Sequence, residues 1–279
     1  MEHGTGALKS PYDLRDYWYK PAGRGVLDWD YDIEKVIGQP IASKNQGKSG
    51  SCGGQAWAYY GAVLERIATL SYEERSAKWI YSHTHVPPGG GSNGRTNCDF
   101  VIKTGWAKEK LVSSYEEEKP PSEAYMTSYV PVTKDIIEDT EVTKALSYLR
   151  VDTNFNKVAQ AIVDNYGCIL TVRGKDNGTW LSKFPQPPIG DYEWRHFLYA
   201  GKLDEINGKK YIGVKNSWGD KTGENGWQWL GEEYFTSGNV DEAYTMTWNY
   251  TPALHKQILI KTVDLLKQVV SLYQKMLNK

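Results

Sequence analysis

The chain has 279 residues, a formal net charge of −1 and 40% hydrophobic residues. The length suits one large domain or two halves that share a cleft, and the near-neutral charge excludes the basic footprint of a nucleic-acid-binding protein. Three cysteines are too few for a disulfide scaffold, which is compatible with a reducing compartment. There is no signal-peptide pattern and no run of about 18 apolar residues, so we expect no membrane span and, by default, a cytoplasmic protein.

The first 27 residues are polar and show no clear hydrophobic period. We interpret residues 1–27 as an N-terminal extension, in which residues 10–17 form an extended arm over the body of the protein. The main domain is expected over residues 28–250. Its first half, about 46–120, is predicted to be helical, and its second half, about 121–250, to be rich in strands, with the charged stretch 116–123 crossing between them.

Hydrophobic periodicity predicts the elements of both halves. Helices are predicted over residues 52–70, 71–82 with Ser71 as N-cap, 96–103, 134–149 and 154–165. Strands are predicted over residues 167–172, 195–203, 210–216 and 227–230. A turn at Asn207-Gly208 joins two of these strands. The pattern favours antiparallel pairing and a partial barrel.

A glycine-rich loop delivers Cys52 to the start of the first long helix. The loop reads Asn45-Gln46-Gly47-Lys48-Ser49-Gly50-Ser51-Cys52-Gly53-Gly54. The dipole and the free N–H groups at a helix N-terminus favour an anion, so we expect a lowered pKa for the Cys52 thiol and a reactive thiolate at neutral pH. Gln46 lies six residues upstream, where its side-chain amide can serve as an oxyanion donor. Cys168, inside an apolar run, is interpreted as a core residue.

Two segments far downstream carry the remaining chemistry. They read Arg195-His196-Phe197-Leu198-Tyr199-Ala200-Gly201 and Val214-Lys215-Asn216-Ser217-Trp218-Gly219. His196 is 144 residues after Cys52 and Asn216 is 164 residues after it, so only the fold can bring these side chains together.

Together these segments resemble the active-site segments of the papain-like cysteine peptidases, over roughly residues 28–250. The resemblance implies an α+β fold with a helical half, an antiparallel β-barrel-like half and an active-site cleft between them. It implies a hydrolase that cleaves peptide bonds through a Cys52 thiolate and a thioester acyl-enzyme, with His196 as general acid and base. Asn216 is expected to orient the His196 ring, and Gln46 to form the oxyanion hole with the Cys52 backbone N–H.

The resemblance also assigns residues to the substrate cleft, namely Gly50, Gly90, Gly91, Gly94, Trp194, Phe197 and Trp218. The glycines are expected to offer backbone groups to an extended peptide or protein substrate. Trp194 and Phe197 are expected to line an apolar pocket, and Trp218 to cover the His196–Asn216 hydrogen bond. No cofactor and no metal site is expected.

The sequence departs from the family in three respects. Gly53 follows the nucleophile where the family commonly has Trp, and Ser49 stands where many members carry a bridging cysteine, which favours a bacterial or phage member. The N-terminal arm is shorter than the family's inhibitory pro-segment, so no built-in zymogen is expected. The leading hypothesis is an endopeptidase. The alternatives are an exopeptidase or peptide ligase, with the arm or the loop 173–192 blocking one end of the cleft, and a binding protein with a retired site.

The last segment, residues 251–279, is predicted to be an amphipathic helix. Thr251 and Pro252 are good start signals, and two apolar rows follow at helical spacing. Such a helix buries its apolar side. For residues 252–278 the alternatives are docking on the catalytic body, self-association, and docking on a membrane or envelope surface.

Overall fold

The computed structural model describes residues 3–14, 16–21, 27–88, 90–117 and 119–248, together with positions 262–263, 265–270 and 273–274. The named helices are α1 (Ile33–Ile37), α2 (Cys52–Thr69), α3 (Ala77–Thr84), α4 (Gly94–Lys103), α5 (Glu123–Thr127), α6 (Lys134–Glu141), α7 (Phe155–Asn165) and α8 (Glu232–Thr236). The strands are β1 (Ala7–Leu8), β2 (Asp30–Asp32), β3 (Ser92–Asn93), β4 (Ser147–Val151), β5 (Cys168–Gly174), β6 (Trp194–Ile206), β7 (Lys209–Lys215), β8 (Trp227–Gly231) and β9 (Val240–Thr247).

Helix α2 is the centre of the helical half and is buried along nearly its whole length. It packs against α3 and against strand β6. Two glycines permit this packing, because an added Cβ would lie 2.5 Å from the Ala77 carbonyl oxygen at Gly54 and 2.6 Å from the Trp106 ring at Gly61. The helix is therefore held rigidly, with Cys52 at its first position.

The β half is a single antiparallel sheet with the strand order β4-β9-β5-β6-β7-β8, and β2 pairs with β6. The described strands do not close into a barrel. Side chains alternate along β6, so Phe197 and Tyr199 join the core beneath α2, whereas Leu198 and Ala200 join a second core on the opposite face. The sheet thereby connects the two halves through β6.

The structure confirms the predicted helix from Cys52, the helix α7, and strands β5 to β8. Two predictions are wrong. Helix α3 begins at Ala77, where the Ser76 hydroxyl accepts the Trp79 N–H, because Arg75 is drawn into buried ion pairs with Glu65 and Asp139.

The second wrong prediction is the helix over 134–149, whose last part is strand β4, paired with β9. Strand β9 itself had no clear signal in the sequence. Both strands lie toward one end of the sheet, where long-range pairing outweighs local preference.

The N-terminal arm lies along the body of the protein, as predicted. Asp16 pairs with Arg95 and Arg150, and the Ser10 N–H and hydroxyl donate to Glu242. The predicted helix over 251–279 falls mostly outside the described residues; the described positions within it are helical, and their apolar side chains are exposed. No helix in the described parts of the chain has the length and apolar character needed to cross a bilayer.

Candidate active site

Cys52 is the first residue of α2, and its side chain is fully buried. Burial raises the pKa of the Cys52 thiol to about 11, although the backbone N–H groups of Phe197 and Gly6 act in the opposite direction. The prediction of a lowered pKa for the Cys52 thiol is therefore wrong for this form, in which the side chain is buried. Loss of water from around the sulfur outweighs the favourable helix terminus.

Strand β6, which carries His196, packs against helix α2 close to Cys52, because an added Cβ on Gly53 would lie 3.4 Å from the Phe197 ring. The His196 Nε2 lies 2.9 Å from the Asn216 Oδ1. Burial lowers the pKa of His196 to about 4, although the bond to Asn216 raises it. Within the described residues the buried Nδ1 has no hydrogen-bond partner. The ring is therefore oriented by Asn216, is neutral at pH 7, and keeps one nitrogen free.

A buried amide on β8 supports Asn216. The Asn216 Nδ2 donates to the Gln228 Oε1 at 2.8 Å, and the Gln228 Nε2 donates to the carbonyl oxygens of Trp180 and Ser182 at 2.7 and 2.9 Å. The Asn216 Oδ1 also accepts the Ser217 N–H at 2.7 Å. Gln228 is not among the residues predicted from the sequence, where a polar residue between two tryptophans in a predicted strand is the available signal.

Gln46 is fully buried and fixed at both ends of its amide. Its Oε1 accepts the Ser217 hydroxyl at 2.5 Å, and its Nε2 donates to the Ser49 and Gly4 carbonyl oxygens at 2.7 and 3.1 Å. The amide nitrogen therefore faces a carbonyl oxygen that lies in the cleft, which is the position that an oxyanion donor needs.

Trp218 covers the histidine. Its ring lies 4.7 Å from the His196 ring, and the ring of His3 stacks on it at 5.2 Å. The Trp218 Nε1 donates to the Gly4 carbonyl oxygen at 3.1 Å. Two donors of the site, from Gln46 and Trp218, thus bind the same carbonyl group.

That carbonyl belongs to residues 3–8, which cross the cleft and are called the cleft segment below. The Gly4 N–H donates to the Gly47 oxygen at 2.9 Å, and the Ser92 N–H donates to the Gly6 oxygen at 2.9 Å. Further along, β1 pairs with β3 in parallel. The arm therefore covers the site although it is short, which the prediction of no built-in zymogen did not anticipate.

The cleft segment passes between close walls. An added Cβ on Gly4 would lie 2.0 Å from the Ser49 oxygen, and one on Gly6 would lie 2.0 Å from the Gly50 oxygen. Real Cβ atoms do not approach an oxygen so closely, so only glycine fits at these two positions.

The glycines predicted to bind substrate differ in their surroundings. Gly50 and Gly91 contact the cleft segment, and Gly90 is exposed to solvent. Gly94 is buried against the core, because an added Cβ there would lie 2.4 Å from the Tyr244 ring.

The two predicted pocket residues are packed inside the protein in this form. The Phe197 ring is buried against Trp57 at 5.3 Å, and the Trp194 ring is packed against Trp180 and Trp218. The described residues also contain no cluster of three His, Cys, Asp or Glu side chains able to hold a metal ion.

Comparison with known proteins agrees with this architecture. No protein-family model matches the sequence. The chain is 24% identical, over 250 residues, to an uncharacterised peptidase C1-like protein of Acanthamoeba polyphaga mimivirus, covering 77% of this chain and 73% of that protein.

Solved structures of cysteine proteases share the fold. Xylellain, a cysteine protease from Xylella fastidiosa, gives a TM-score of 0.75 at 21% identity, covering 89% of this chain and 97% of that chain. Digestive procathepsin L 3 of the Tenebrio molitor larval midgut gives a TM-score of 0.69 at 16% identity, covering 88% of this chain and 76% of that chain. The bromelain protease from Ananas comosus gives a TM-score of 0.65 at 20% identity, covering 80% of this chain and 100% of that chain. The chain therefore has the papain-like α+β fold.

Proposed function

We propose that this chain is a cysteine endopeptidase that hydrolyses peptide bonds in peptide or protein substrates. The fold, the buried Cys52 next to the His196 strand, and the hydrogen bond from His196 to Asn216 support the assignment. So does the mimivirus relative, whose name describes a peptidase. No cofactor is needed for this chemistry.

The reaction begins when the cleft segment leaves and water returns to the site. The Cys52 proton then passes to the free Nδ1 of His196, giving a thiolate–imidazolium pair. The sulfur attacks the substrate carbonyl carbon, and the oxyanion accepts hydrogen bonds from the Gln46 Nε2 and the Cys52 N–H. His196 protonates the departing amine as the C–N bond breaks, and a thioester forms. His196 then takes a proton from water, which attacks the thioester, releases the acid and restores the thiol.

One observation favours an endopeptidase over an exopeptidase. The cleft segment is a stretch of polypeptide that continues on both sides of Cys52, from His3 at the Trp218 ring to Leu8 beside Asn93. A cleft that accommodates a chain in both directions is what internal cleavage requires, and an exopeptidase needs one end closed. When the segment is displaced, the space that it occupies becomes available to a substrate.

In the observed form the cleft segment blocks the thiol. Its Gly6 lies against Gly50, two residues before Cys52, and the Cys52 side chain is fully buried, so no substrate carbonyl carbon can reach the sulfur. It also occupies the Gln46 amide, and its burial of the site contributes to keeping Cys52 and His196 neutral. Activity therefore requires displacement of residues 3–8.

The test uses three full-length proteins. They are the parent, the Cys52→Ala variant, and an arm-displaced variant with Gly4→Val and Gly6→Val, in which the new side chains cannot fit between the walls. Each is assayed with internally quenched peptides blocked at both ends, and with a thiol-directed peptidyl epoxide followed by peptide mapping.

We expect internal cleavage and labelling of Cys52 in the parent, more of both in the arm-displaced variant, and neither in Cys52→Ala. Removal of single terminal residues from unblocked peptides, without internal cleavage, would identify an exopeptidase. Absence of cleavage and of Cys52 labelling between pH 5 and 8, in the parent and in the arm-displaced variant, would instead identify a binding protein with a retired site.

A further inference from the structure

A chain of hydrogen bonds joins two loop segments that contact the cleft segment, one at Gly50 and the other at Gly91. The Gly50 N–H donates to the Glu123 Oε2 at 2.6 Å, and the Tyr81 hydroxyl donates to the Glu123 Oε1 at 2.6 Å. The Tyr81 oxygen in turn accepts the Gly91 N–H at 3.1 Å. Gly50 lies two residues before the nucleophile, and Gly91 lies in the glycine-rich turn before β3. One carboxylate and one phenol therefore connect the two segments.

Both segments contact the main chain of Gly6. An added Cβ on Gly6 would lie 2.0 Å from the Gly50 oxygen, and one on Gly91 would lie 2.0 Å from the Gly6 oxygen. Gly50 and Gly91 are also neighbours, because an added Cβ on Gly50 would lie 3.3 Å from the Gly91 nitrogen. The relative position of these two glycines therefore decides how the main chain of an extended peptide is held beside Cys52.

No disulfide restrains these two segments. All three cysteines are free and buried, and the residue three positions before Cys52 is Ser49. Hydrogen bonds to a carboxylate are among the strong ones in proteins, and the Tyr81 ring is fully buried, so the link is rigid. Glu123 is the first residue of helix α5.

We propose that Glu123 and Tyr81 are positioning residues that hold Gly50 and Gly91 in the arrangement that binds the main chain of an extended peptide beside Cys52. They act through these two glycines and do not take part in the chemistry. The inference rests on the proposed function and adds to it a determinant of peptide binding. Loss of either side chain lets the two loop segments shift relative to each other, so peptide binding weakens while the chemistry at the sulfur is retained.

The test compares Tyr81→Phe and Glu123→Gln with two matched controls on exposed side chains, Tyr129→Phe and Glu138→Gln. For each full-length protein, two second-order rate constants for modification of Cys52 are measured, one with a peptidyl epoxide and one with iodoacetamide. Both reagents need an uncovered sulfur, so their ratio cancels the fraction of molecules in which the cleft segment is displaced.

We expect the ratio of epoxide to iodoacetamide reactivity to fall by about tenfold in each variant, the size of effect that one charge-assisted hydrogen bond can produce. The KM for a blocked peptide rises by a similar factor, while kcat changes by less than about twofold. The double variant shows little further loss, because the two residues belong to one link. Both controls keep the parent ratio.

An unchanged ratio in a folded Tyr81→Phe protein overturns the inference, even if its melting temperature falls, because that result describes a purely structural role. If Glu123→Gln does not fold, Tyr81→Phe decides alone, since it removes a single oxygen atom. Failure of the proposed function looks different. In that case the parent itself shows no preference for the peptidyl reagent and cleaves no peptide, before any variant is compared.

Discussion

The two walls of the cleft are built differently. On the sheet wall, His196, Asn216 and Gln228 are fully buried and belong to neighbouring strands or their ends, so the register of β6, β7 and β8 places them. On the loop wall, Gly50 and Gly91 lie outside regular secondary structure and are joined by hydrogen bonds through the Glu123 and Tyr81 side chains.

This difference separates two tasks. Backbone pairing holds the His196 ring in place whether or not a peptide is present, so the sheet wall provides the chemistry of the proposed reaction. The loop wall contacts the main chain of whatever lies in the cleft, here the arm's own Gly6. Changes in the sheet wall are therefore expected to affect kcat, and changes in the loop wall to affect KM.

The largest effect is expected at Gln46, which contacts both walls through Ser217 and Ser49. Removal of one oxyanion donor costs about 3 kcal/mol of barrier, so Gln46→Ala is expected to lower kcat by roughly two to three decades without preventing folding. Steady-state kinetics and circular dichroism check this, with the exposed Gln186→Ala as control. A fall of less than about threefold would remove Gln46 from the oxyanion hole.

Next in size is the release of the cleft segment. In Gly6→Val the new side chain collides with the Gly50 oxygen, and such overpacking typically costs ~1–3 kcal/mol, so we expect the rate of peptide cleavage to rise by about tenfold. Lys9→Ala, at an exposed position of the same arm, is the control and should match the parent. A variant no faster than this control would show that residues 3–8 do not limit access.

A smaller effect tests the sheet wall. Gln228→Met keeps the volume of the side chain but leaves the Asn216 Nδ2 and the Trp180 and Ser182 carbonyl oxygens without their partner. We expect the free energy of unfolding to fall by about 1–3 kcal/mol and kcat to fall with little change in KM. Urea unfolding and steady-state kinetics measure both. A change confined to KM would contradict the division between the walls.

A further effect concerns the pH dependence of stability. Burial holds the pKa of His196 at about 4, below its ordinary value of 6.5, so between these values the unfolded chain binds more protons than the folded one. The free energy of unfolding should therefore rise with pH across this window and reach its full value above pH 6.5, with a slope of up to about 1.4 kcal/mol per pH unit from this group. The His196→Gln variant lacks this contribution to the pH dependence of the free energy of unfolding. Parallel curves for parent and variant would show that His196 is not buried as a neutral ring.

Much of the sheet wall could be predicted from the sequence. His196 and Asn216 lie at or next to strands with clear patterns, and Cys52 begins a helix with a strong apolar period. The loop wall could not be predicted in the same way. Glu123 lies 71 residues after Cys52 in a charged, proline-bearing stretch, and nothing local indicates that its carboxylate reaches the Gly50 N–H.

For a related reason, the sequence did not predict that residues 3–8 cover the site. Gly4 and Gly6 have no special neighbours in the sequence, and their need for glycine is visible only beside the Ser49 and Gly50 oxygens. The pKa of Cys52 depends on the same long-range event, because burial in the folded site reverses the shift that the helix terminus alone would produce. Local patterns predict elements, whereas occupancy of a cleft depends on distant parts of the chain.

The most direct test of the central claim is to trap the acyl-enzyme. The arm-displaced variant is mixed with a reactive peptide ester, quenched in acid within seconds, and analysed by intact mass and peptide mapping. We predict that the mass of one acyl group appears on the peptide that contains Cys52, and that it is absent from the same variant carrying Cys52→Ala. Peptide cleavage that persists in the Cys52→Ala protein, or an acyl group found on Cys98 or Cys168 instead, would contradict catalysis by Cys52.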